Sequence, residues 1–408
     1  MRKSRKAVVT AISIAVLTVS LAVLLASCGG TTTTSAGVST SGTGQGGEPT
    51  GDPIVIGAVV STTGPNAPLG EPERNTLELM EAKINAAGGV LGRPLKIVIL
   101  DDQSNAKEAV TATQRLINQE KVVAVIGASG SATTLAMKPI TAQAKIPQIA
   151  MAAGNSITDE PPLEWIWRVA PKDDLAVERA CKYIAESLKV KKIAVLYDEN
   201  AFGSSGMAQI DEVKGTYGLE VVAKGSYKTD ETDLTAQLTK LRGSNPEALV
   251  VWGTNPGPAV AAKNLKQLGW TLPYVGSHGI ANFKFIELAG DAAEGVVFPS
   301  TKILFPQSIT DEGQKKVIDI FISDYTEEFG EAPNHFASHG WDAISLLVKA
   351  IEDAQSTEAE AIAAALNAIT GFSGADGIFN YSPTNHDGLA VDDLIMVEIE
   401  NGSWVLAQ

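Results

Sequence analysis

From Ile54 onward, short apolar runs alternate with amphipathic segments of helical length, and this alternation restricts the chain to an α/β fold. Residues 54–60 read IVIGAVV, a continuous apolar run typical of a strand buried on both faces of a parallel sheet. A helical pattern follows through Leu77, Met80 and Ile84, and Gly88-Gly89 ends it. Strands separated by helices of this length form parallel βαβ units.

The alternation occurs twice, so we predict two lobes. The first series ends with a strand at 147–151, and the second runs from a helix at 173–188 to a strand at 274–276. Two doubly wound α/β lobes account for this order, and the ligand of such sheets binds beyond the carboxyl ends of the strands. Further helices are predicted at 317–328, 337–354 and 358–368, and further strands at 394–400 and around Val405.

The first 28 residues have the three parts of a secretory signal. A basic start from Arg2 to Lys6 precedes an apolar stretch at 7–26, and Leu25-Ala26-Ser27-Cys28 resembles a bacterial lipobox. We predict a lipoprotein signal peptide at 1–27 and lipidation of Cys28. The expected location is extracytoplasmic, lipid-anchored to the bacterial cell membrane, at the cell surface or in the periplasm. The alternative is a permanent membrane helix, because the apolar stretch is long enough to span a bilayer.

Residues 28–52 follow as the lipidated cysteine and a tether. The segment is dominated by Gly, Thr and Ser. A segment of this composition buries too little apolar surface to fold, so we predict a flexible connection to the lobes.

Charge and motifs argue against nucleic-acid binding and catalysis. The formal net charge is −15, and an acidic surface repels phosphates. His335 and His339 are four residues apart, but no general base is adjacent to them, so we predict no metal site. The sequence contains neither a Gly-rich phosphate loop with lysine nor a G-x-S-x-G elbow. We expect no enzyme activity, no cofactor and no nucleic-acid partner.

Several short motifs, in their order and spacing, resemble one family. They include IG at 56–57, GP at 64–65, INAAGGVLG at 84–92, LDDQS at 100–104, GDAAEG at 290–295 and WDA at 341–343. From Ile54 to the C-terminus the chain resembles type I periplasmic binding proteins of the Leu/Ile/Val-binding class. The resemblance implies a receptor that captures a small molecule and delivers it to the permease of an ABC transporter.

The family fold also implies three crossovers between the lobes. We place them near 169–172, near 299–303 and between 383 and 391. Lobe I is then built from 53–170 and 302–388, and lobe II from 171–301 and 389–408. Closure around the ligand is expected to be a hinge motion.

The resemblance further implies a set of ligand-binding residues. Ser131, within SGSAT at 129–133, matches a serine that holds the ligand carboxylate together with N–H groups at a helix start. The alternative interpretation of Ser131 is a plain N-cap. Gly154 stands where the family often has Thr, so Ala152 and Asn155 are expected to replace the missing hydroxyl. The other predicted contacts are Leu69 and Phe336, and from the second lobe Phe202 and Thr254.

His278 departs from the family pattern, in which amino-acid binders place an acidic residue to hold the ligand ammonium. A neutral imidazole cannot replace a carboxylate opposite a buried ammonium, but it can donate to a keto, hydroxyl or acidic oxygen. The stretches at 276–282 and 380–388 are similar to members that bind aromatic carboxylates. We therefore favour an aromatic acid or a 2-oxo acid. The alternatives are a branched-chain or other amino acid as ligand, a sensor serving a signalling receptor, and a structural role for His278.

Overall fold

Two separate β-sheets divide residues 48–408, the part of the chain that this computed structural model describes, into two α/β lobes. The predicted signal peptide, Cys28 and most of the tether lie outside the described residues. The first sheet has the order β2-β1-β3-β4-β5, and its strands are all parallel. These strands are β1 Ile54–Val60, β2 Leu95–Asp101, β3 Ala124–Gly127, β4 Gln148–Ala150 and β5 Ile166–Arg168.

The second sheet has the order β14-β13-β10-β9-β8-β6-β7. Its strands run parallel except for β13, which pairs antiparallel with both β10 and β14. The strands are β6 Lys192–Asp198, β7 Glu220–Tyr227, β8 Ala248–Trp252, β9 Tyr274–Gly276, β10 Val296–Thr301, β13 Leu394–Glu400 and β14 Ser403–Leu406. A small antiparallel pair, β11 Phe372–Ser373 and β12 Ile378–Phe379, completes the strands. The predicted class, two α/β lobes with parallel strands, is confirmed.

Twelve α-helices cover the sheets in the described part of the chain, and none of them has the length and apolar character needed to cross a bilayer. They are α1 Ala67–Ala86, α2 Ala106–Arg115, α3 Ser131–Ala144, α4 Ser156–Asp159, α5 Asp173–Glu186, α6 Ala201–Val213, α7 Thr235–Arg242, α8 Gly257–Gln267, α9 Phe283–Ala289, α10 Glu312–Phe329, α11 His335–Ala354 and α12 Ala359–Leu366.

Helices α10, α11 and α12 pack in the core of the first lobe although they follow the second lobe along the chain. Ile318, Leu347 and Leu366 are buried in one apolar cluster with Ile56 of β1. Strands β13 and β14 then return to the second sheet. The chain therefore passes between the sheets three times, after β5, after β10 and before β13.

Helices α1 and α11 approach closely at Gly340. A Cβ atom on Gly340 would lie 2.9 Å from the carbonyl oxygen of Glu73 in α1, which is too close for any larger residue without movement. Close packing in protein interiors does not leave room for that movement. The contact fixes the first turn of α11, which carries Phe336 and His339, against α1.

A buried cation joins the first and third crossovers. Arg168 is fully buried and donates from Nε to Oδ1 of Asp387 at 3.0 Å. The hydroxyl of Tyr381 donates to the Arg168 carbonyl at 2.6 Å. Burial by itself raises the pKa of Asp387, but the charges of Arg168 and Lys172 and a hydrogen bond from Thr158 hold it below the usual value. The carboxylate therefore stays ionised and paired at neutral pH.

Candidate functional site

A cavity of about 190 Å³ lies between the two lobes, at the carboxyl ends of their strands. Residues that follow β3, β4, β6, β8 and β9 contribute to its wall, together with the first turns of α1, α3, α6 and α11. Parallel α/β sheets bind ligands at this edge. Seven of the eight predicted ligand-binding residues line the cavity: Leu69, Ser131, Ala152, Phe202, Thr254, His278 and Phe336.

The N-terminus of α3 presents unused hydrogen-bond donors to the cavity. Ser131 is the first residue of the helix, and Gly130 occupies the N-cap position, so the N-cap interpretation of Ser131 is wrong. Within residues 48–408, the N–H groups of Ser131, Ala132 and Thr133 form no hydrogen bond. The Ser131 hydroxyl accepts from the Gly154 N–H at 3.1 Å. These N–H groups and the positive end of the helix dipole suit an anion.

Asn155, the eighth predicted residue, is not among the residues that line this cavity, and its polar groups are used in other contacts. Its N–H donates to Ser205 Oγ at 3.0 Å, and its side-chain Nδ2 donates to Gln209 Oε1 at 3.1 Å. Its Oδ1 accepts from the Asp174 N–H at 3.2 Å. The side chain points across the lobe boundary because the chain turns into α4 at this residue. Asn155 thus connects the lobes.

Gly154 is the residue that lets Ser131 sit in the wall. A Cβ atom at Gly154 would lie 3.1 Å from both Cβ and Oγ of Ser131. A threonine there would therefore crowd the serine hydroxyl in this arrangement. In the sequence, Gly154 only indicated that the threonine hydroxyl of the family is absent. In the structure, the missing side chain leaves the space in which Ser131 Oγ accepts from the Gly154 N–H.

His278 contributes a neutral and unpaired imidazole. Its ring packs edge-on against Phe202 and Trp252, with centroids 5.3 and 5.9 Å away. Burial lowers the pKa of His278 to about 3, and the neighbouring His339 and Arg168 act in the same direction. A backbone hydrogen bond to the Pro171 carbonyl acts in the opposite direction. That contact is poorly formed, and by geometry neither ring nitrogen has a hydrogen-bond partner among the described residues.

A ligand contact would give the His278 imidazole the hydrogen bonds that it lacks in the structure. Buried polar groups in native proteins almost always form hydrogen bonds, so two buried ring nitrogens without a well-formed hydrogen bond call for an explanation. His278 begins a short 3₁₀ turn whose Gly279 N–H is bonded by the Ser277 hydroxyl, so the turn does not depend on the histidine ring. The ring nitrogens are therefore candidates for ligand contact.

No aspartate, glutamate, lysine or arginine of the described chain lines the cavity. Several acidic groups stand behind the wall, bonded to wall residues or to their neighbours. Ser129 contacts the buried carboxyl of Glu73, and Ser61 Oγ donates to Asp102 Oδ1 at 2.6 Å. Burial raises the pKa of both acids above the usual range, Glu73 the more strongly. A ligand ammonium would thus find no carboxylate at its surface.

Sequence reasoning assigned no ligand role to seven polar residues of the wall, which are Asn66, Ser104, Ser129, Thr133, Asn200, Thr229 and His339. Ser129 stood in the SGSAT motif, but only the second serine was assigned a role. His339 follows Phe336 by three residues, and residues three apart share a helix face. That spacing could have identified it once Phe336 was placed at the ligand.

His335 and His339 do not form a metal site here. Nδ1 of His335 lies 2.9 Å from the Thr301 hydroxyl, and Nδ1 of His339 lies 2.7 Å from Oδ2 of Asp376. In the part of the chain that the structure describes, no group of three or more His, Cys, Asp or Glu side chains is arranged to hold a metal ion.

Comparison with known proteins agrees with this architecture. A family model for periplasmic binding proteins matches residues 53–403. An amino acid binding protein of Pseudomonas aeruginosa is 30% identical over 238 residues, which are 58% of this chain and 63% of that protein. The leucine-, isoleucine-, valine-, threonine- and alanine-binding protein of the same organism is 28% identical over 319 residues, 78% of this chain and 83% of the relative.

A solved structure gives the same result. The crystal structure of an extracellular ligand-binding receptor from Rhodopseudomonas palustris HaA2 superposes with a TM-score of 0.81 and 26% identity, covering 88% of this chain and 100% of that one. The likeness extends over both lobes and therefore includes the cavity between them.

Proposed function

The chain belongs to the periplasmic binding protein family, and from this premise we propose that its ligand is a small carboxylate without an ammonium group. The protein is a solute-binding protein of the type that serves branched-chain amino acid transporters, and it is not an enzyme. The cavity between the lobes is the proposed site. An aromatic acid or a 2-oxo acid is the favoured ligand.

One observation carries this proposal: the cavity offers an anion site but no acidic side chain. The free N–H groups at the start of α3 and the Ser131 hydroxyl are suited to the carboxylate. An ammonium group placed among the remaining wall residues would be buried without a counter-charge, which is strongly unfavourable.

The remaining wall fits an apolar or aromatic body with an oxygen atom near His278. Phe202, Phe336 and Leu69 supply apolar surface from both lobes. The neutral imidazole of His278 can donate one hydrogen bond, and a 2-oxo group or a second carboxyl oxygen can accept it.

An amino acid is the second candidate. It is favoured by the relative named for binding leucine, isoleucine, valine, threonine and alanine. In that case backbone carbonyl or side-chain oxygens of the wall would have to hold the ammonium. A role as a sensor for a signalling receptor would use the same site.

Delivery and location form part of the proposal. The signal peptide at 1–27 and lipidation of Cys28 would hold the protein outside the cytoplasm, at the cell surface or in the periplasm. The lobes, with segments at 53–170, 171–301, 302–388 and 389–408, would hand the ligand to an ABC transporter permease. Labelling with a radioactive fatty acid, with Cys28→Ala as the control, tests the anchor.

Thermal unfolding of the full chain tests the ligand class. Benzoate, 3-phenyl-2-oxopropanoate, 4-methyl-2-oxopentanoate and leucine are added one at a time. A ligand at about 100 times its Kd should stabilise the protein by about 2.7 kcal/mol, a shift of roughly 2 °C or more for a domain of this size. The Ser131→Ala variant should lose most of the shift. Stabilisation by leucine alone would contradict the proposal.

A further inference from the structure

Three buried histidine rings lie against one another where the two lobes meet. His278 follows β9 of the second sheet, whereas His335 and His339 lie in the first turns of α11, which packs in the core of the first lobe. The ring centroids of His278 and His335 are 6.0 Å apart, and those of His335 and His339 are 4.6 Å apart. All three residues are at most 3% exposed. This histidine cluster therefore exists only while the two lobes are in contact.

The members of the histidine cluster differ in their polar partners. Nδ1 of His339 lies 2.7 Å from Oδ2 of Asp376. Nδ1 of His335 lies 2.9 Å from the Thr301 hydroxyl, and its Nε2 has no partner among the described residues. Both ring nitrogens of His278 also lack a well-formed hydrogen bond. The carboxylate that is bonded to the cluster therefore serves His339 and leaves the other two rings without a counter-charge.

A proton on His278 or His335 would create a buried cation beside other imidazoles. Burial of a charge without a counter-charge is strongly unfavourable, so both rings are neutral while the lobes meet. Burial lowers the pKa of His335 well below its usual value, and His339 and His278 add to the shift. Apart from each other, His339 and Arg168 are the titratable or charged groups of residues 48–408 that act on these two rings, and neither is an anion that would stabilise a proton there.

Separation of the lobes would remove this environment. His335 would stay on α11 of the first lobe, and His278 would stay beside β9 of the second lobe and face the opened cavity. A histidine in contact with water titrates near pH 6.5. Below that pH the separated arrangement binds protons that the joined arrangement excludes. By linkage, acid therefore favours separation of the lobes.

We propose that the histidine cluster is a pH-sensitive latch between the lobes, which retains the ligand at neutral pH and releases it on acidification. The proposal holds for any acid that the cavity binds, so it goes beyond the proposed ligand class. Affinity should be full above about pH 7 and fall as the pH drops through 6.5. One histidine that is neutral in the joined arrangement and ordinary in the separated one lowers affinity about tenfold between pH 7.5 and pH 5.5.

His335→Asn tests the latch, because His335, unlike His278 and His339, does not line the cavity. The amide can take the place of Nδ1 beside Thr301, and it does not take up a proton. Calorimetric titration of the full-length protein uses whichever of benzoate, 3-phenyl-2-oxopropanoate, 4-methyl-2-oxopentanoate and leucine binds most tightly. The variant should bind as the wild type does at pH 7.5. Between pH 7.5 and pH 5.5 the wild type should lose about tenfold more affinity than the variant.

His386→Gln is the matched control. His386 is also buried, but its contacts with the Trp167 ring and the Ile166 carbonyl lie within the first lobe, so lobe separation leaves them in place. This variant should keep the pH dependence of the wild type. Equal losses of affinity in wild type and His335→Asn, or an equal reduction of the loss in His386→Gln, would overturn the latch and leave the proposed ligand class intact. Binding of leucine alone would contradict the ligand class, and the same comparison would still decide the latch.

Small-angle X-ray scattering without ligand decides the case in which none of the four acids binds. The radius of gyration of the wild type should then increase between pH 7.5 and pH 5.5, and that of His335→Asn should increase less. No increase, or the same increase in both proteins, would overturn the latch. Circular dichroism confirms that each variant is folded, and His335→Gln takes the place of His335→Asn if the latter does not fold.

Discussion

The guanidinium of Arg168 donates from Nη1 to the carbonyl oxygen of Ala152 at 3.1 Å. The same side chain donates from Nη2 to the Gly154 carbonyl at 3.0 Å and pairs with Asp387 in the third crossover. A single buried cation at the hinge therefore holds the β4 side of the ligand cavity. Movement of the crossovers and the shape of the cavity wall are coupled through this residue.

Arg168→Met should destabilise the protein by about 3 kcal/mol or more, because it leaves Asp387 and two carbonyl oxygens without their buried partner. Urea unfolding measures the change. Arg115 is the matched control, since its pair with Glu120 leaves half of the arginine side chain exposed. Arg115→Met should change the free energy of unfolding by less than about 1 kcal/mol. Equal effects of the two substitutions would contradict the structural role of Arg168.

The pH dependence of stability should contain a contribution from Asp173. Burial raises the pKa of Asp173 to about 7, although hydrogen bonds from Ser205 and Trp252 lower it in part. The unfolded carboxyl titrates near 3.8, so the folded state holds the proton more tightly. The stability from this group is present below pH 4 and is lost as the pH rises to about 7.

Asp173→Asn should remove this loss while keeping an acceptor for Trp252, which donates to Oδ1 at 3.1 Å. Between pH 5 and pH 8 the wild type should lose about 2 kcal/mol more than the variant. Urea unfolding at both pH values gives the comparison. Asp319→Asn, on an exposed face of α10, should behave as the wild type. Parallel pH profiles for wild type and Asp173→Asn would show the carboxyl to be ionised in the fold.

His278→Glu should shift the ligand preference of the cavity from 2-oxo acids toward amino acids. A glutamate there would supply the counter-charge that a ligand ammonium needs, and it would repel a ligand that carries only a carboxylate. Leucine affinity should rise by at least about tenfold, and affinity for 2-oxo acids should fall by a similar factor. His278→Gln, which adds no charge, should gain no leucine binding. An unchanged ligand preference in His278→Glu would place His278 away from the ligand.

The contact between Asn155 and Gln209 should stabilise the arrangement in which the two lobes meet around the cavity. Gln209→Ala removes the 3.1 Å hydrogen bond without touching the cavity wall. We expect all ligands to lose affinity by the same factor, about twofold to tenfold, because one hydrogen bond favours closure. Gln143→Ala, at an exposed position of α3, is the control and should have no effect. Ligand-specific losses in Gln209→Ala would indicate a role in the cavity.

The lobes could be predicted because their central strands are continuous apolar runs, as in β1 and β8, and the helices between them keep their period. Strands β5 and β10 were not predicted. β5 has three residues, and β10 contains Pro299 and ends at Thr301, where a crossover was expected. Short strands at crossovers lack the length that makes a pattern visible.

Seven of the residues that the family resemblance implied as ligand contacts line the cavity, and each lies close to a strand end or a helix start. The contacts of Asn155 could not be predicted, because the direction of its side chain depends on α4 and on Gln209 of the other lobe. Ser129 and His339 were missed because their contacts depend on the packing of α11 against α1 and on two buried acids, Glu73 and Asp376. Contacts between residues this far apart leave no local pattern in the sequence.

The most direct test of the central claim compares leucine with its 2-oxo analogue, 4-methyl-2-oxopentanoate, and phenylalanine with 3-phenyl-2-oxopropanoate. Within each pair the two acids differ only in the ammonium or keto group next to the carboxylate, where we place His278. Calorimetric titration should show the 2-oxo acid of at least one pair binding at least tenfold more tightly than the amino acid. Tighter binding of the amino acid in both pairs would mean that the cavity holds an ammonium group. The ligand would then be an amino acid, which contradicts the proposed function.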